Sequence, residues 1–133
     1  MPRASLSAPH VLVVDADSRS RAEIAALVVG DGARATQAAS AAEAMRHVGA
    51  RRFDAVIVDY ALPGVGGVVL VAQFRGLGNG RDLPAVVLSA LPPGPGQEKA
   101  RQHAACLPGT VFLERPVSGP CLAHVINGLL APA

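Results

Sequence analysis

Tryptophan is missing from this chain of 133 residues, and aromatic side chains make up only 3% of it. The predicted core is therefore aliphatic, with small side chains that let helices lie close to a sheet. No apolar run approaches the roughly 20 residues needed to cross a bilayer, and the first residues lack the basic-then-apolar pattern of a signal peptide. We expect no membrane partner and a cytoplasmic location.

Cysteine and lysine are scarce as well. Cys106 and Cys121 form no CxxC motif, and we expect two buried or half-buried thiols in a reducing compartment. Lys99 is the one lysine among twelve basic residues, and the one adjacent basic pair is Arg51-Arg52. A nucleic-acid binder usually carries a basic stripe with aromatics beside it, so we expect no direct contact with nucleic acid. The histidines show no metal-ligand spacing and are expected at the surface or at strand edges: His10, His47, His103 and His124.

The length predicts one domain, and a domain of this size buries about two-thirds of its unfolded surface. Half of the residues are apolar and 17% are charged, a balance that excludes wholesale disorder. Residues 1–9 are mostly small or polar and contain proline. We expect a flexible leader there and a single domain over residues 10–131.

Four continuous apolar runs predict strands, at residues 10–14, 53–58, 83–88 and 110–113, and a weaker run at 33–38 predicts a strand nearer an edge. Runs of this kind are typical of strands buried on both faces of a parallel sheet. Helical patterns lie between them, and the alternation predicts right-handed crossovers with helices on both faces. The predicted fold class is α/β, a doubly wound parallel five-stranded sheet.

Serine residues mark the predicted helix starts. Ser40-Ala41-Ala42-Glu43 fits a capping box, Ser118 precedes the last helix, and Ser20-Arg21-Ala22-Glu23 competes with Asp17 or Ser18 at the first. A further helix with a thin apolar face is predicted at residues 96–106. In three other helices, apolar residues recur at helical spacing: Ile24, Leu27 and Val28; Leu70, Phe74 and Leu77; and Leu122, Val125, Ile126, Leu129 and Leu130.

Polar side chains follow the predicted strands. Asp15 follows the first, Asp59 the third, Ser89 the fourth, and Arg115 lies just after the fifth. In an open parallel sheet these ends share one edge, where ligands bind near the reversal of strand order. Two carboxylates repel each other and favour a divalent cation, and one or two carboxylates suffice for Mg²⁺. A hydroxyl and a guanidinium suit phosphoryl oxygens. The cluster therefore predicts phosphoryl transfer to a carboxylate, a reaction that needs positioning and charge neutralisation.

Four motifs, in this order, give the chain a clear resemblance to a known family. They are Val11-Leu12-Val13-Val14-Asp15, Asp59-Tyr60-Ala61-Leu62-Pro63-Gly64, Ser89-Ala90 and Arg115-Pro116. Together they resemble a response-regulator receiver domain, the phosphoacceptor half of two-component signalling, over about residues 10–130. The resemblance implies a flavodoxin-like or CheY-like fold with strand order 2-1-3-4-5. It implies a signalling domain and not an enzyme, with at most slow loss of its own phosphoryl group.

The resemblance also assigns roles to the strand-end residues. It implies that Asp59 accepts the phosphoryl group from a sensor histidine kinase or a phosphotransfer protein. It implies Mg²⁺ held by Asp15, Asp59 and the backbone carbonyl of Ala61, with Ser89 and Arg115 contacting the phosphoryl group.

The last strand and helix correspond to the part of the family's fold that changes on activation and contacts partners. Phe112 stands where the family often has an aromatic that swings inward on activation. The last strand and helix form the usual dimer or partner surface in the family, so a homodimer through them is an expectation, although the apolar stripe of this helix is more simply explained as core.

The departures from the family pattern concern the same site. Receivers carry two consecutive acids after the first strand, but this chain reads Asp15-Ala16-Asp17, so we expect weak Mg²⁺ binding. The family has a lysine before a proline at the end of the fifth strand, and this chain has Arg115 there, a larger planar group. Gly66-Gly67 replaces Asp-Gly, and residues 92–96 place three prolines in a loop that usually relaxes on activation.

Three functions stay open at this point, in order of preference. The first is a phosphorylatable receiver. The second is a degenerate receiver that acts as a docking or dimerisation module, which Ala16 and Arg115 favour. The third is a flavodoxin-like enzyme or flavin binder that shares only the sheet. It would need a Ser/Thr/Gly phosphate loop after the first strand, which residues 15–19 do not supply.

Overall fold

Five strands alternate with five helices over residues 8–130, which are the residues that the computed structural model describes. The elements are β1 (His10–Val14), α1 (Ser18–Gly30), β2 (Arg34–Ala38), α2 (Ala41–Ala50), β3 (Ala55–Asp59), α3 (Gly67–Phe74), β4 (Ala85–Ser89), α4 (Pro95–Ala105), β5 (Thr110–Glu114) and α5 (Gly119–Leu130). A single 3-10 turn, Gly78–Gly80, precedes β4. The predicted leader lies almost entirely outside the described residues and stays a prediction.

The strands form one parallel sheet in the order β2-β1-β3-β4-β5. This confirms the predicted α/β doubly wound fold, its strand order and the edge position of the weak second run. The chain runs from β1 outward to β2 and then back across to β3, so the strand order reverses between β1 and β3. Val14 pairs with Val58 across this reversal, which places the residues that follow them, Asp15 and Asp59, side by side at the carboxyl edge.

The core lies on both faces of the sheet because successive strand residues point to opposite sides. Leu12 and Val14 pack towards α2, α3 and α4, whereas Val11 and Val13 pack towards α1 and α5. All four are at most 1% exposed, so β1 is buried on both faces, as the continuous apolar run predicts. Phe74 is the largest fully buried side chain, and the rest of the core is mainly aliphatic. In residues 8–130 no helix is long and apolar enough to span a bilayer.

Side-chain caps fix where three helices begin. The Asp17 carboxylate accepts from the Arg19 N–H at the start of α1, which resolves the competition with Ser18 and Ser20 in favour of Asp17. Ser40 caps α2 as predicted. The Ser118 hydroxyl accepts from the Cys121 N–H at the start of α5. Caps of this kind satisfy backbone donors that the first turn leaves free.

Three expectations about individual residues are wrong. Cys106 and Cys121 are exposed, because one caps the end of α4 and the other lies in the first turn of α5, on the solvent side. His10 is only 7% exposed. It begins a strand flanked on both sides, its ring packs 4.7 Å from the ring centroid of Phe53, and its Nε2 lies 2.6 Å from the Thr36 hydroxyl. Leu77 lies beyond the end of α3.

The start of α3 packs directly on the end of β3. The Gly67 N–H donates to the carbonyl of Tyr60, and a Cβ on Gly67 would lie 2.5 Å from the Asp59 carbonyl oxygen and 3.0 Å from a Val58 methyl group. Glycine at this position therefore lets the helix approach the backbone of Asp59 more closely than any other residue allows.

We expect Gly67→Ala to lower the free energy of unfolding by about 1–3 kcal/mol, the usual cost of forcing extra volume into a packed site. Gly49→Ala in α2 is the matched control, since its Cβ would meet nothing within 4 Å; it should be neutral or stabilise by up to about 1 kcal/mol. Urea unfolding of both variants measures the difference. A Gly67→Ala protein as stable as the Gly49→Ala protein would contradict the close approach.

Candidate functional site

Three of the residues predicted for the site meet at the carboxyl edge of the sheet. Asp15 follows β1, Asp59 ends β3 and Arg115 follows β5. The Arg115 Nη2 lies 2.9 Å from Asp15 Oδ2 and 3.6 Å from Asp59 Oδ1. The side chains of Asp15, Arg115 and Asp59 are 7%, 18% and 21% exposed. One guanidinium thus forms ion pairs with two carboxylates that are largely buried.

Arg115 is held in place from three directions. Its Nη1 donates to the Ser20 hydroxyl at 2.8 Å, its Nη2 donates to Asp15, and its backbone N–H donates to the Ser89 carbonyl at 2.8 Å. Ser20 does not cap α1, and its hydroxyl instead anchors the guanidinium. The position of Arg115 is therefore set by the first helix and by β4, as well as by the acids.

The Asp15 carboxylate has a donor on each oxygen. Oδ1 accepts from the Asp17 N–H at 3.0 Å, and Oδ2 accepts from Arg115. The Asp15 backbone carbonyl accepts from Arg21 Nη1 at 2.9 Å, which brings a second guanidinium to the acid pair. The Asp15 side chain is consequently held in one orientation, and it contacts both Asp17 and Arg115.

Asp59 is the less compensated of the two acids. Burial raises the pKa of Asp59 above that of an ordinary aspartate, and the negative charge of Asp15 raises it further. The positive charge of Arg115 opposes both effects, but at 3.6 Å the guanidinium lies farther from Asp59 than from Asp15. Desolvation and like charge disfavour the ionised carboxyl, so the Asp59 carboxylate is more basic than an ordinary aspartate.

Ser89 lies at the same edge, but its hydroxyl is directed towards α4. The Ser89 side chain is buried, its Oγ lies 2.6 Å from the Gln97 Oε1, and it accepts from the Leu91 N–H at 3.3 Å. Because the Gln97 Oε1 is an acceptor, the single hydroxyl proton points to Gln97. In this arrangement the Ser89 proton is not available to a ligand at Asp59.

Gln97 and Ser20 contact residues of the site, and the sequence patterns did not assign either of them to it. A signal for Gln97 was present, because Gln97, Ala100 and Ala104 follow the helical spacing and are the buried residues of α4. A buried glutamine on that face needs a polar partner. Ser20 gave no such signal, since its partner lies 95 residues away along the chain.

The remaining predicted residues lie around this centre. Ala61 is exposed in the loop after β3. Phe112 is half-buried in β5, with the Arg101 guanidinium carbon 4.9 Å above its ring centroid. Arg101 also bonds to Glu114 at 2.7 Å, so this exposed arginine covers the aromatic ring in addition to facing solvent.

The donor set does not fit a tightly held Mg²⁺. Ala16 has no ligand atom in its side chain, Asp17 caps α1, and both oxygens of Asp15 already accept hydrogen bonds. Within residues 8–130 no group of three or more His, Cys, Asp or Glu side chains could hold a metal ion. Mg²⁺ demands near-octahedral oxygen ligands, and here a guanidinium lies against the acids instead.

Comparison with known proteins identifies the family. The model of the response regulator receiver domain matches residues 11–126, and the chain belongs to this family, whose members are signalling domains that bind Mg²⁺ in their active site. The chain is 38% identical to the transcriptional regulatory protein PrrA of Mycobacterium leprae over 85 residues, covering 64% of this chain and 36% of PrrA. It is 30% identical over 113 residues to a 14.6 kDa protein of Leptolyngbya boryana, covering 85% and 83%. The match thus spans about a third of the length of PrrA.

Solved structures agree with the fold. A response regulator from Chloroflexus aurantiacus superposes with a TM-score of 0.84 at 25% identity, over 95% of this chain and all of that one. The receiver domain of a sensor histidine kinase from Pseudomonas aeruginosa gives 0.80 at 23% identity, over 93% and 98%. That structure contains a magnesium ion in its active-site cleft. The predicted family and fold are confirmed, and the flavin-binder hypothesis is set aside.

A double-mutant cycle tests the Ser89–Gln97 bond. We expect Ser89→Ala to cost about 1–3 kcal/mol of unfolding free energy, since it leaves a buried glutamine oxygen without its donor. Gln97→Leu removes the acceptor, so the double variant should lose less than the two single variants together, by about 1 kcal/mol. Urea unfolding of the four proteins gives this coupling, and additive losses would show that the two side chains do not interact.

The pH dependence of stability tests the environment of Asp59. The folded state holds the Asp59 proton more tightly than the unfolded chain, so the ionised carboxyl destabilises the fold near neutral pH and this penalty fades as the pH falls through the raised pKa. We expect Asp59→Asn to be more stable than the wild type at neutral pH, with the gap closing in acid. Urea midpoints across pH measure it, with the exposed Asp31→Asn as control. A less stable Asp59→Asn at neutral pH would mean that attraction to Arg115 outweighs burial.

Proposed function

We propose that this receiver domain accepts a phosphoryl group on Asp59 from a histidine-kinase phosphohistidine or a phosphotransfer protein in the cytoplasm, and relays the event by a conformational change. One observation carries the choice of Asp59. Its side chain is 21% exposed, three times the exposure of Asp15, and both Asp15 oxygens are occupied by donors. Asp59 is therefore the acid from which a carboxylate oxygen can reach an incoming phosphorus.

The transfer balances as a simple exchange of bonds. An Asp59 carboxylate oxygen forms the new bond to phosphorus as the bond from phosphorus to the imidazole nitrogen breaks. The electron pair stays on that nitrogen, and the product is an acyl phosphate. Such a step depends on in-line positioning and charge neutralisation, and the Arg115 guanidinium is the cation closest to the reacting oxygen that the site provides.

The relay would start at Ser89. A phosphoryl group on Asp59 attracts the Ser89 hydroxyl, and turning towards it breaks the bond to Gln97. A buried amide oxygen without its donor costs free energy, so the first turn of α4 shifts to find another partner. Phe112, under Arg101 of the same helix, is then released to move inward. On this path Ser89 binds the phosphoryl group and Phe112 is the aromatic side chain that moves on activation.

We propose that this site binds Mg²⁺ only weakly. Asp15, Asp59 and the Ala61 carbonyl are the ligands that the family pattern implies for Mg²⁺, which supplies positive charge when bound. Ala16 removes one acid from that set, and Arg115 holds Asp15. No step above depends on the metal.

A second function is favoured by the same departures. A receiver with a permanent Arg115–Asp15 pair and no acid at residue 16 could act as a phosphorylation-independent interaction module. Its surface would be β5 and α5, which the family uses for partners and homodimers. In α5 only Leu122 and Ile126 are buried among the described residues, so the half-buried Val125 and Leu129 would extend such a contact.

Incubation with acetyl phosphate or phosphoramidate and Mg²⁺ distinguishes the two functions. We expect the intact mass to rise by one phosphoryl group, and Asp59→Asn to abolish the gain because the accepting oxygen is lost. Asp31→Asn, which removes an exposed carboxylate away from the site, should be modified like the wild type. An unmodified wild-type protein with both phosphodonors would favour the interaction module.

A further inference from the structure

We propose that Arg115 is the resident counter-cation of the acid pair, so that modification of Asp59 does not require a divalent cation. This inference rests on the proposed phosphoacceptor function and states how that site differs from its relatives. It follows from three features: the charge balance of the site, the occupation of the Asp15 oxygens, and the free donors of the guanidinium.

The charges of the site balance without a metal. Asp15 and Asp59 carry two negative charges, Arg115 contacts both carboxylates, and Arg21 contacts the Asp15 carbonyl. Two guanidinium groups therefore supply the positive charge that a divalent ion would bring. With alanine at position 16, no third acid is present that would need a further cation.

A divalent ion would have to displace Arg115 to bind Asp15 Oδ2. The guanidinium is 2.9 Å from Asp15 Oδ2 and is anchored on its other terminal nitrogen by Ser20. The second Asp15 oxygen accepts from the backbone N–H of Asp17, the residue whose side chain caps α1. Freeing a ligand for Mg²⁺ therefore breaks a charge-assisted hydrogen bond of a kind that is about twice as strong as a neutral one.

Arg115 is also placed to contact an added phosphoryl group. A guanidinium has five N–H donors, and the hydrogen bonds described here use two of its nitrogens, on Ser20 and Asp15. At 3.6 Å from Asp59 Oδ1, the contact is longer than a hydrogen bond. Within residues 8–130 its remaining donors have no hydrogen-bond partner, so they can bind phosphoryl oxygens on Asp59, and one residue neutralises charge before and after transfer.

The test compares wild-type protein with Arg115→Met and Ala16→Asp. Mg²⁺ titrations are followed by the amide NMR signals of residues near Asp59, and modification by acetyl phosphate is measured by intact mass with Mg²⁺ or with EDTA. We expect wild-type modification to proceed at the same rate, within about twofold, in both conditions. Each variant should bind Mg²⁺ at least about tenfold more tightly, and Arg115→Met should need Mg²⁺ for modification. Arg46→Met, an exposed arginine of α2, is the control.

The outcomes separate this inference from the proposed function. Modification that occurs only with Mg²⁺, together with saturable Mg²⁺ binding by the wild type, overturns the inference and leaves the phosphoacceptor role intact. No modification in either condition overturns the phosphoacceptor role and the metal-independent reaction with it. In that case tighter Mg²⁺ binding by Arg115→Met still supports Arg115 as the resident cation, and binding equal to that of the wild type refutes it. The wild-type rates with Mg²⁺ and with EDTA keep the test decisive if Arg115→Met does not fold.

Discussion

The ion pairing of Arg115 with Asp15 and Asp59 is the constraint around which the carboxyl edge of the sheet is arranged. Parallel strand pairing places the two acids next to each other and partly out of water, where their repulsion is strong. A cation is required there, and this chain supplies it from the residue after β5, 100 residues beyond Asp15. The start of α1 takes part as well, because Asp17 holds one Asp15 oxygen and Ser20 holds the guanidinium.

Two contacts connect this charged centre to the helices that could transmit a signal. Gly67 lets α3 pack on the backbone of Asp59, and Gln97 ties α4 to the hydroxyl of Ser89. Each contact joins a strand end at the site to the first turn of a helix. The starts of α3 and α4 therefore both depend on groups that lie at the site.

Much of the fold and part of the site could be predicted from the sequence. Long aliphatic runs such as that of β1 have one stable placement, inside a parallel sheet, and strand ends such as Asp15 and Asp59 must then share an edge. Single residues were harder. His10 was expected near the surface, but Thr36 and Phe53 cover it, and neither neighbour is close in sequence. The prediction that the two cysteines are buried or half-buried was wrong for a similar reason, since thiol burial depends on which side of a helix end faces solvent.

The sequence by itself determined the α/β class through its periodicity, and its strand-end motifs determined the acids and the cation of the site and the resemblance to the family, which in turn implied the order of the strands. Only the tertiary structure decided how these groups are paired. Arg115 bonds mainly to Asp15 and only weakly to Asp59, and the Ser89 proton goes to Gln97. Such choices depend on distances of a few tenths of an ångström between residues remote in sequence, and these distances are fixed by packing.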